Sequence, residues 1–338
     1  VFKITTKQIA ELANVSRSTV SRVINNYENV PIETKKKVQK IIDEYGYTPN
    51  YFARTLAGKN PNIIGIFLAD INTTFSSNDW IGINSPYNME LISVIVNLLK
   101  SYNHVALVNI ITDIKELKNL EHYFLKRIVA GGIFAGFPYN ISELEELARK
   151  YNIVLIDQMI SNDGNDNLKL VNSDNNSGGY IATKYLIDKG HTNILHIAGD
   201  NRLSSIQRER GYKTAMKEFN LEPNIIYGMY REDIAYKITK NYVPIHKPSA
   251  IFAGNDIMAI GVIKALKELM FRIPEDISVM GFDNLNLTKW FNLDITTMSV
   301  SIKDIGENSV KLLFEEKDNY SICRANLIER SSVAEKMK

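Results

Sequence analysis

The stretch VSRSTVSRVIN, residues 15–25, sets short hydroxyl side chains and two arginines among valines at helical spacing. Val20, Val23 and Ile24 recur at i, i+3 and i+4 and make one apolar face. Ser16 stands where a helix N-cap belongs. Arg17, Ser18, Ser21, Arg22 and Asn25 lie elsewhere on the helix. Just upstream, TTKQIAELA (5–13) has Thr5 and Gln8 at capping-box spacing, with Ile9, Leu12 and Ala13 as its apolar stripe. Downstream, a third helix over about 32–45 carries Val38, Ile41, Ile42 and Tyr45 on one face, and Gly46 suits its C′ position. Short helices with a tight turn between the first two make a helix-turn-helix.

A recognition helix needs an apolar underside and an upper face that enters the major groove. Short hydroxyls allow close approach to the sugar-phosphate and donate to its oxygens, and arginine makes bidentate bonds to guanine. The helix N-terminus adds amide donors and partial positive charge. Charge distribution agrees: residues 1–59 hold ten Lys/Arg against five Asp/Glu, whereas the remainder holds 30 against 33. A basic head on a slightly acidic body meets a polyanion.

From residue 62 the rhythm changes. Strand-like runs NIIGIFLA (62–69), HVALVNI (104–110), AGGIFAG (130–136) and NIVLID (152–157) alternate with helical patterns near 87–102, 114–127 and 142–151. A second set opens with LKLVNSD (168–174) and continues through NILHIAG (193–199), NIIYG (224–228), SAIFAGND (249–256) and ISVMGFD (277–283). Helices fall near 176–189, 205–219, 232–241 and 257–270. Continuous apolar strands between amphipathic helices predict two parallel sheets covered on both faces. Ligands of such sheets bind beyond the carboxyl ends of the strands. Asp70, Asp157, Asp174, Asn255, Asp256 and Asp283 stand at such ends, which suits a polar cleft for a hydroxylated small molecule.

Composition bounds the rest. The 338 residues exceed one ordinary core, and apolar content of 45% with 23% charged is that of a globular protein. The longest apolar runs are strand-sized, which predicts no membrane partner. No secretory leader is evident and Cys323 is the single cysteine, which predicts a cytoplasmic protein with neither a disulfide nor a cysteine metal site. No phosphate-binding Gly-rich loop, His-Glu-x-x-His or Gly-x-Ser-x-Gly is present, and His104, His122, His191, His196 and His246 lack metal-ligand spacing. Neither an enzyme nor a cofactor or metal is expected.

The strings TTKQIAELANVSRSTVSRVINN and YTPNYFARTLAGK (47–59) resemble the lactose/galactose repressor family. So do NSDNNSGGYIATKYLIDKGHTNILHIAG (172–199), RERGYKTAM (208–216), AGNDIMAIGVIKAL (253–266), IPEDISVMGFDN (273–284) and ITTMSVSIKDIGENSVKLL (295–313), all in family order. The resemblance covers nearly the whole chain. It implies an α/β protein with an N-terminal three-helix helix-turn-helix head and a hinge helix. Two doubly wound parallel-sheet subdomains similar to periplasmic sugar-binding proteins would follow. The expected boundaries are 1–49 for the head, 50–60 for the hinge, 61–158 with 290–319 for one subdomain, and 159–289 with 320–338 for the other.

The resemblance also implies residue roles. Arg17, Ser18 and Arg22 would read base edges. Thr5, Ser16, Thr19, Ser21 and Asn25 would hold the DNA backbone. Leu56 would wedge into the minor groove beside Asn50, Ala53 and Arg54. Asp157, Arg208, Asn255 and Asp283 would grip an effector, with Pro86 and Tyr87 at its mouth. Paired polar groups of this kind suit vicinal hydroxyls.

The segment after the first strand (70–91) is about ten residues longer than the usual family loop, and Pro31 replaces a frequent serine cap. The tail shows no leucine heptad, which predicts a homodimer on an approximate palindrome of double-stranded operator DNA. The expected function is a repressor released by a small sugar, in the direction of a galactoside. Corepressor-type regulation by a purine, a sugar phosphate or a phosphocarrier protein is the second reading. A sugar-binding receptor is the third.

Overall fold

The computed structural model describes residues 4–24, 27–47, 62–71, 85–159, 168–290, 292–315 and 318–336. The chain divides into two compact units, Val1–Pro61 and Asn62–Lys338.

The first unit holds α1 (Thr6–Ala13), α2 (Arg17–Ile24) and α3 (Ile32–Glu44). Thr5 caps α1 in a reciprocal box: its hydroxyl accepts from the Gln8 amide at 3.3 Å, and Gln8 Oε1 accepts from the Thr5 amide at 2.9 Å. Asn14 ends α1 in the left-handed region, φ 52°. Ser16 Oγ accepts from the Thr19 amide at 3.1 Å and so starts α2. The core is Ile9, Ala10, Ala13, Val20, Val23, Val30 and Val38. Ile24, Ile41 and Ile42 pack against it part-buried, and two other expected residues, Leu12 and Tyr45, are exposed. Leu12 is 50% exposed and Ala10 takes its place, because α1 turns its i+1 side to the other helices. Tyr45 is 52% exposed at the C-cap of α3, past the last packed turn, and Gly46 follows at φ 59°.

The second unit contains two six-stranded sheets. Its elements open with β1 (Ile63–Ala69), α4 (Pro86–Ser101), β2 (Val105–Ile111), α5 (Leu117–Leu125), β3 (Gly131–Ala135), α6 (Ser142–Lys150), β4 (Ile153–Ile156) and β5 (Lys169–Ser173). They continue with α7 (Asn175–Asp188), β6 (Ile194–Ala198), α8 (Leu203–Glu218), β7 (Asn224–Tyr227), α9 (Glu232–His246), β8 (Ala250–Ala253), α10 (Asp256–Glu268) and β9 (Ser278–Phe282). The last are α11 (Asn286–Trp290), β10 (Thr296–Val300), α12 (Ile302–Phe314), β11 (Tyr320–Cys323) and β12 (Ala325–Ile328). The first sheet has the order β11-β5-β4-β3-β1-β2 and is parallel throughout. The second has the order β12-β10-β9-β8-β6-β7, with β12 antiparallel at its edge.

These sheets correct the expected subdomain boundaries. Lys169–Ser173, expected to open the second set, pairs with β4 in the first sheet, Leu155 opposite Leu170. Residues 290–319 divide as well, since β10 belongs to the second sheet while α12 packs on α4, β4 and β5. Within 320–338, β11 joins the first sheet and β12 the second. The chain therefore crosses between subdomains at Asp174, at Ser301 and at Arg324. Two crossings are tied together, the Asp174 amide donating to Cys323 O at 2.8 Å. Asp174 caps α7 and Ser301 caps α12, so two crossings double as helix starts.

Apolar packing follows from strands buried on both faces. One core spans both subdomains and includes Ile64, Ile66, Leu91, Ile95, Val171, Tyr212, Phe252, Phe282 and Ile305. Separate cores lie under α5 and α6 (Phe67, Leu120, Phe134, Leu147) and under α9 and α10 (Ile197, Val243, Val262, Val279). No helix among the described residues is long and apolar enough to cross a membrane.

Candidate nucleic-acid interface and ligand cavity

In the head, Val20 and Val23 are buried under α2 while Arg17, Ser18, Ser21 and Arg22 are exposed. The hydroxyls of Ser18 and Thr19 lie 2.7 and 2.8 Å from Ser16 Oγ. Three hydroxyls thus cluster at the N-terminus of α2, where the helix supplies positive potential. Thr5 is exposed and occupied in its cap. Asn25, Asn50, Ala53, Arg54 and Leu56 lie outside the described residues.

The body holds a cavity of about 290 Å³ beyond the carboxyl ends of the strands of both sheets. It is walled by Asp70 after β1, Phe137 after β3, Asp157 after β4, Asp200 after β6, Asn255 after β8 and Asp283 after β9. Tyr87 reaches it from α4 and Arg208 from α8. Five of the six expected contacts therefore meet in one place. The sixth, Pro86, does not line it: it opens α4 at the first helical turn, where its missing amide costs nothing, and Ser85, Tyr87 and Asn88 form the wall instead.

Arg208 organises the floor. Its Nε donates to Asn175 Oδ1 at 2.9 Å, Nη1 to Gly254 O at 2.5 Å and Nη2 to Asp283 Oδ1 at 3.0 Å. The guanidinium stacks over the Phe282 ring at 3.6 Å. Asn175 turns its amide toward Asp157 at 3.4 Å, and Asp157 also accepts from the Ser173 amide at 2.7 Å. A continuous polar chain thus runs from Asp157 of the first subdomain through Asn175 and Arg208 to Asp283 of the second. Asn255 lines the cavity while its Oδ1 caps α10 through the Met258 amide at 2.9 Å.

Electrostatics follow from burial. Desolvation raises Asp283 to about 6 although Arg208 opposes it. Burial also raises Asp157, against the Ser173 amide and Arg208. Burial, then Asp157 and Asp283, hold the Tyr87 hydroxyl well above its usual range, so it remains a donor. Burial works against the Arg208 charge, but Asp283, Tyr230 and Asp157 raise its pKa nonetheless. Asp157, Met229, Tyr230 and Asp283 on the cavity wall adopt positive φ (49°, 57°, 56° and 104°).

Sequence reasoning misses Asn175, Asp200, Arg202 and Tyr230. Arg202 is clamped by Asp200 (Nε to Oδ1 2.9 Å, to Oδ2 3.0 Å) and covers the Tyr230 ring at 4.4 Å. Asn175 sits inside the quoted segment NSDNNSGGY, where its one available signal is adjacency to the strand-end Asp174. The buried histidines are structural. His196, lowered to about 4 by burial, bonds Phe252 O through Nδ1 at 2.9 Å between stacked Tyr212 and Phe252 rings. His191 meets Ala334 O at 3.1 Å. Among the described residues no group of three His, Cys, Asp or Glu is placed to hold a metal ion.

Comparison with known proteins agrees with this architecture. Residues 5–50 match the bacterial regulatory proteins of the lacI family, and residues 183–333 match the periplasmic binding protein-like domain. The chain is 32% identical over 317 residues to the HTH-type transcriptional repressor PurR of Histophilus somni (strain 2336), spanning 92% of this chain and 91% of that protein. Its fold is similar to the lac repressor dimer bound to operator and the anti-inducer ONPF, with TM-score 0.84, 22% identity and coverage of 98% and 100%. It is also similar to a periplasmic binding protein/LacI transcriptional regulator from Alkaliphilus metalliredigens QYMF complexed with D-xylulofuranose, with TM-score 0.64, 25% identity and coverage of 80% and 99%. With its helix-turn-helix head and its ligand-binding type of body, the chain belongs to the lacI family of transcriptional repressors and is a DNA-binding regulator, not an enzyme.

Proposed function

We propose that the chain acts in the cytoplasm as a homodimer, with its heads and hinge segments on an approximate operator palindrome, and that a small neutral sugar in the body cavity releases it. Arg17, Ser18 and Arg22 choose bases, and Thr5, Ser16, Thr19, Ser21 and Asn25 hold phosphates. Leu56, with Asn50, Ala53 and Arg54, supplies the minor-groove wedge. Asp157, Arg208, Asn255, Asp283 and Tyr87 bind the effector.

The observation that carries the sugar reading is the chain Asp157–Asn175–Arg208–Asp283, which presents alternating donors and acceptors from both subdomains. Each wall guanidinium already has a carboxylate: Arg208 has Asp283, Arg202 has Asp200 and Arg231 has Asp233. A phosphorylated ligand would have to displace one of these, whereas hydroxyls bridge such pairs without a net change of charge. A ligand touching both subdomains shifts their relative populations across the crossings at Asp174, Ser301 and Arg324, and the DNA-binding state with them.

A purine is the second reading, favoured by the PurR relatives and by Tyr87 and Tyr230 on the wall. Bases want open aromatic faces, and here Arg202 lies over Tyr230. A thermal-shift screen of galactosides, glucosides, pentoses, purines and sugar phosphates tests the choice, since a ligand of the folded state raises its stability by mass action. Stabilisation by a neutral sugar that also weakens operator binding is expected. Stabilisation by a purine with stronger operator binding would replace this reading by the second.

A further inference from the structure

Behind the cavity wall lies a carboxylate that, among the described residues, makes no direct contact with a cation. Asp256 opens α10 and is fully buried. Its Oδ1 accepts from Thr297 Oγ1 at 2.7 Å and its Oδ2 from the Leu285 amide at 2.8 Å. It lies over Gly281, where any Cβ would stand 2.2 Å from Oδ1, and Gly281 is the register partner of Thr297. Asp256 therefore joins α10 to β9, to β10 and to the turn 283–285, which departs from β9 through two positive-φ residues, Asp283 (104°) and Asn284 (54°).

Thr297 has a second polar neighbour. Its Oγ1 is 3.3 Å from Met298 O, the same carbonyl that accepts the Asp283 amide at 2.7 Å. A hydroxyl has one proton and two lone pairs. With Asp256 ionised, Thr297 donates to the carboxylate. With Asp256 protonated, the carboxyl donates to Thr297 and the hydroxyl proton turns to Met298 O, whose second lone pair receives it. Thr297 thus keeps a hydrogen bond in both protonation states, whereas the Leu285 amide, 2.8 Å from Asp256 Oδ2, is held more weakly by the neutral carboxyl than by the carboxylate.

We propose that Asp256 and Thr297 form a proton-controlled latch on the turn that carries Asp283, with Asp256 as its positioning residue. One proton moves from solvent to Asp256 Oδ1, and no other bond is made or broken apart from hydrogen bonds. Burial favours titration near neutrality. Burial and the neighbouring Asp283 raise Asp256 to about 7, against Thr297, the Leu285 amide and Arg330. Around Asp283 stand Arg208 from α8, Asp157 from β4 and Arg202. Arg330 itself is engaged with Asn284 Oδ1 at 2.6 Å and Ile295 O at 2.7 Å. That the latch adjusts effector affinity rests on the reading of the cavity given above; the latch itself does not.

The test is the urea midpoint of the full-length protein as a function of pH, with amide exchange at Leu285 as a local reporter. In the wild type the midpoint falls as pH rises through about 7, because the folded state releases a proton that it holds more tightly than the unfolded chain. Asp256→Asn removes the fall near 7, and Leu285 exchange loses its pH step beyond the intrinsic rate. Thr297→Val, which deprives the ionised form of its hydroxyl donor, moves the step to higher pH, and Thr297→Ser restores it. A step near 7 retained in Asp256→Asn, or a step that Thr297→Val leaves in place, would overturn the latch. Since both outcomes are read without ligand, failure of the sugar reading leaves this result standing.

Discussion

Nη2 of Arg208 lies 3.0 Å from Oδ1 of Asp283, with the two side chains 7% and 8% exposed. A pair buried this deeply is stabilising only while both partners are present. Arg208→Ala leaves the Asp283 carboxylate without its cation and is expected to cost about 3–5 kcal/mol above pH 7. The loss shrinks toward acid because Asp283, already at about 6, takes a proton instead. Asp283→Asn in the same chain should recover part of it. Urea titrations of the two single variants and the double variant at two pH values measure this; equal losses at both would refute the coupling.

The pH dependence of the body has a definite sign. Asp283 at about 6 and Asp256 at about 7 lie above the ordinary aspartate value of about 3.9. Their protonated forms contribute stability that is fully present below about pH 4 and is lost as pH rises through these values. Asp283→Asn should flatten the lower part of the curve. Calorimetric midpoints across this range provide the measurement, and stability that rises steadily from pH 5 to 8 in the wild type would contradict the assignment.

Close contact of α7 and α8 places Asn175 against Arg208. A Cβ on Gly211 would stand 2.2 Å from Asn176 O, and one on Gly179 would stand 2.2 Å from Arg208 O. Gly211→Ala forces the helices apart and should lower stability by about 1–3 kcal/mol. It should also weaken ligand binding by lengthening the Arg208–Asn175 bond. An unchanged unfolding midpoint would show that the helices separate without cost.

In the head, Ser16 caps α2 and, in its proposed role, also faces the DNA backbone, whereas Arg22 serves DNA contact alone. Ser16→Ala removes the Thr19 amide's acceptor and should destabilise the head by about 1 kcal/mol. Arg22→Ala, on an exposed side chain, should leave the unfolding transition alone and weaken operator binding by about 1–3 kcal/mol. Circular dichroism melts and fluorescence anisotropy distinguish the two. For the hinge, Leu56→Ala should weaken specific binding far more than non-specific binding, and equal losses would remove the wedge.

What is legible in the sequence divides along physical lines. The helix-turn-helix can be read because its caps and its Val20/Val23 underside are local. Strand and helix alternation is equally plain, since buried parallel strands are continuous apolar runs. The sheet to which a strand belongs is not local. β5, β10 and β11 look alike as segments, and only pairing across the crossings at Asp174, Ser301 and Arg324 assigns them. At the cavity, strand-end acids such as Asp157 and Asp283 announce themselves. Asn175 and Arg202 do not, because their roles come from the tight α7–α8 contact and from the Asp200 clamp.

Ligand control of DNA binding through Arg208 is the central claim. Its most direct test is a thermal-shift and anisotropy experiment on wild type and Arg208→Lys with the neutral sugar that the screen selects. The account predicts that the sugar raises the wild-type melting temperature and releases operator, and that Arg208→Lys, still folded and still bound to operator, responds to neither. Full release of the variant by the same sugar would contradict it.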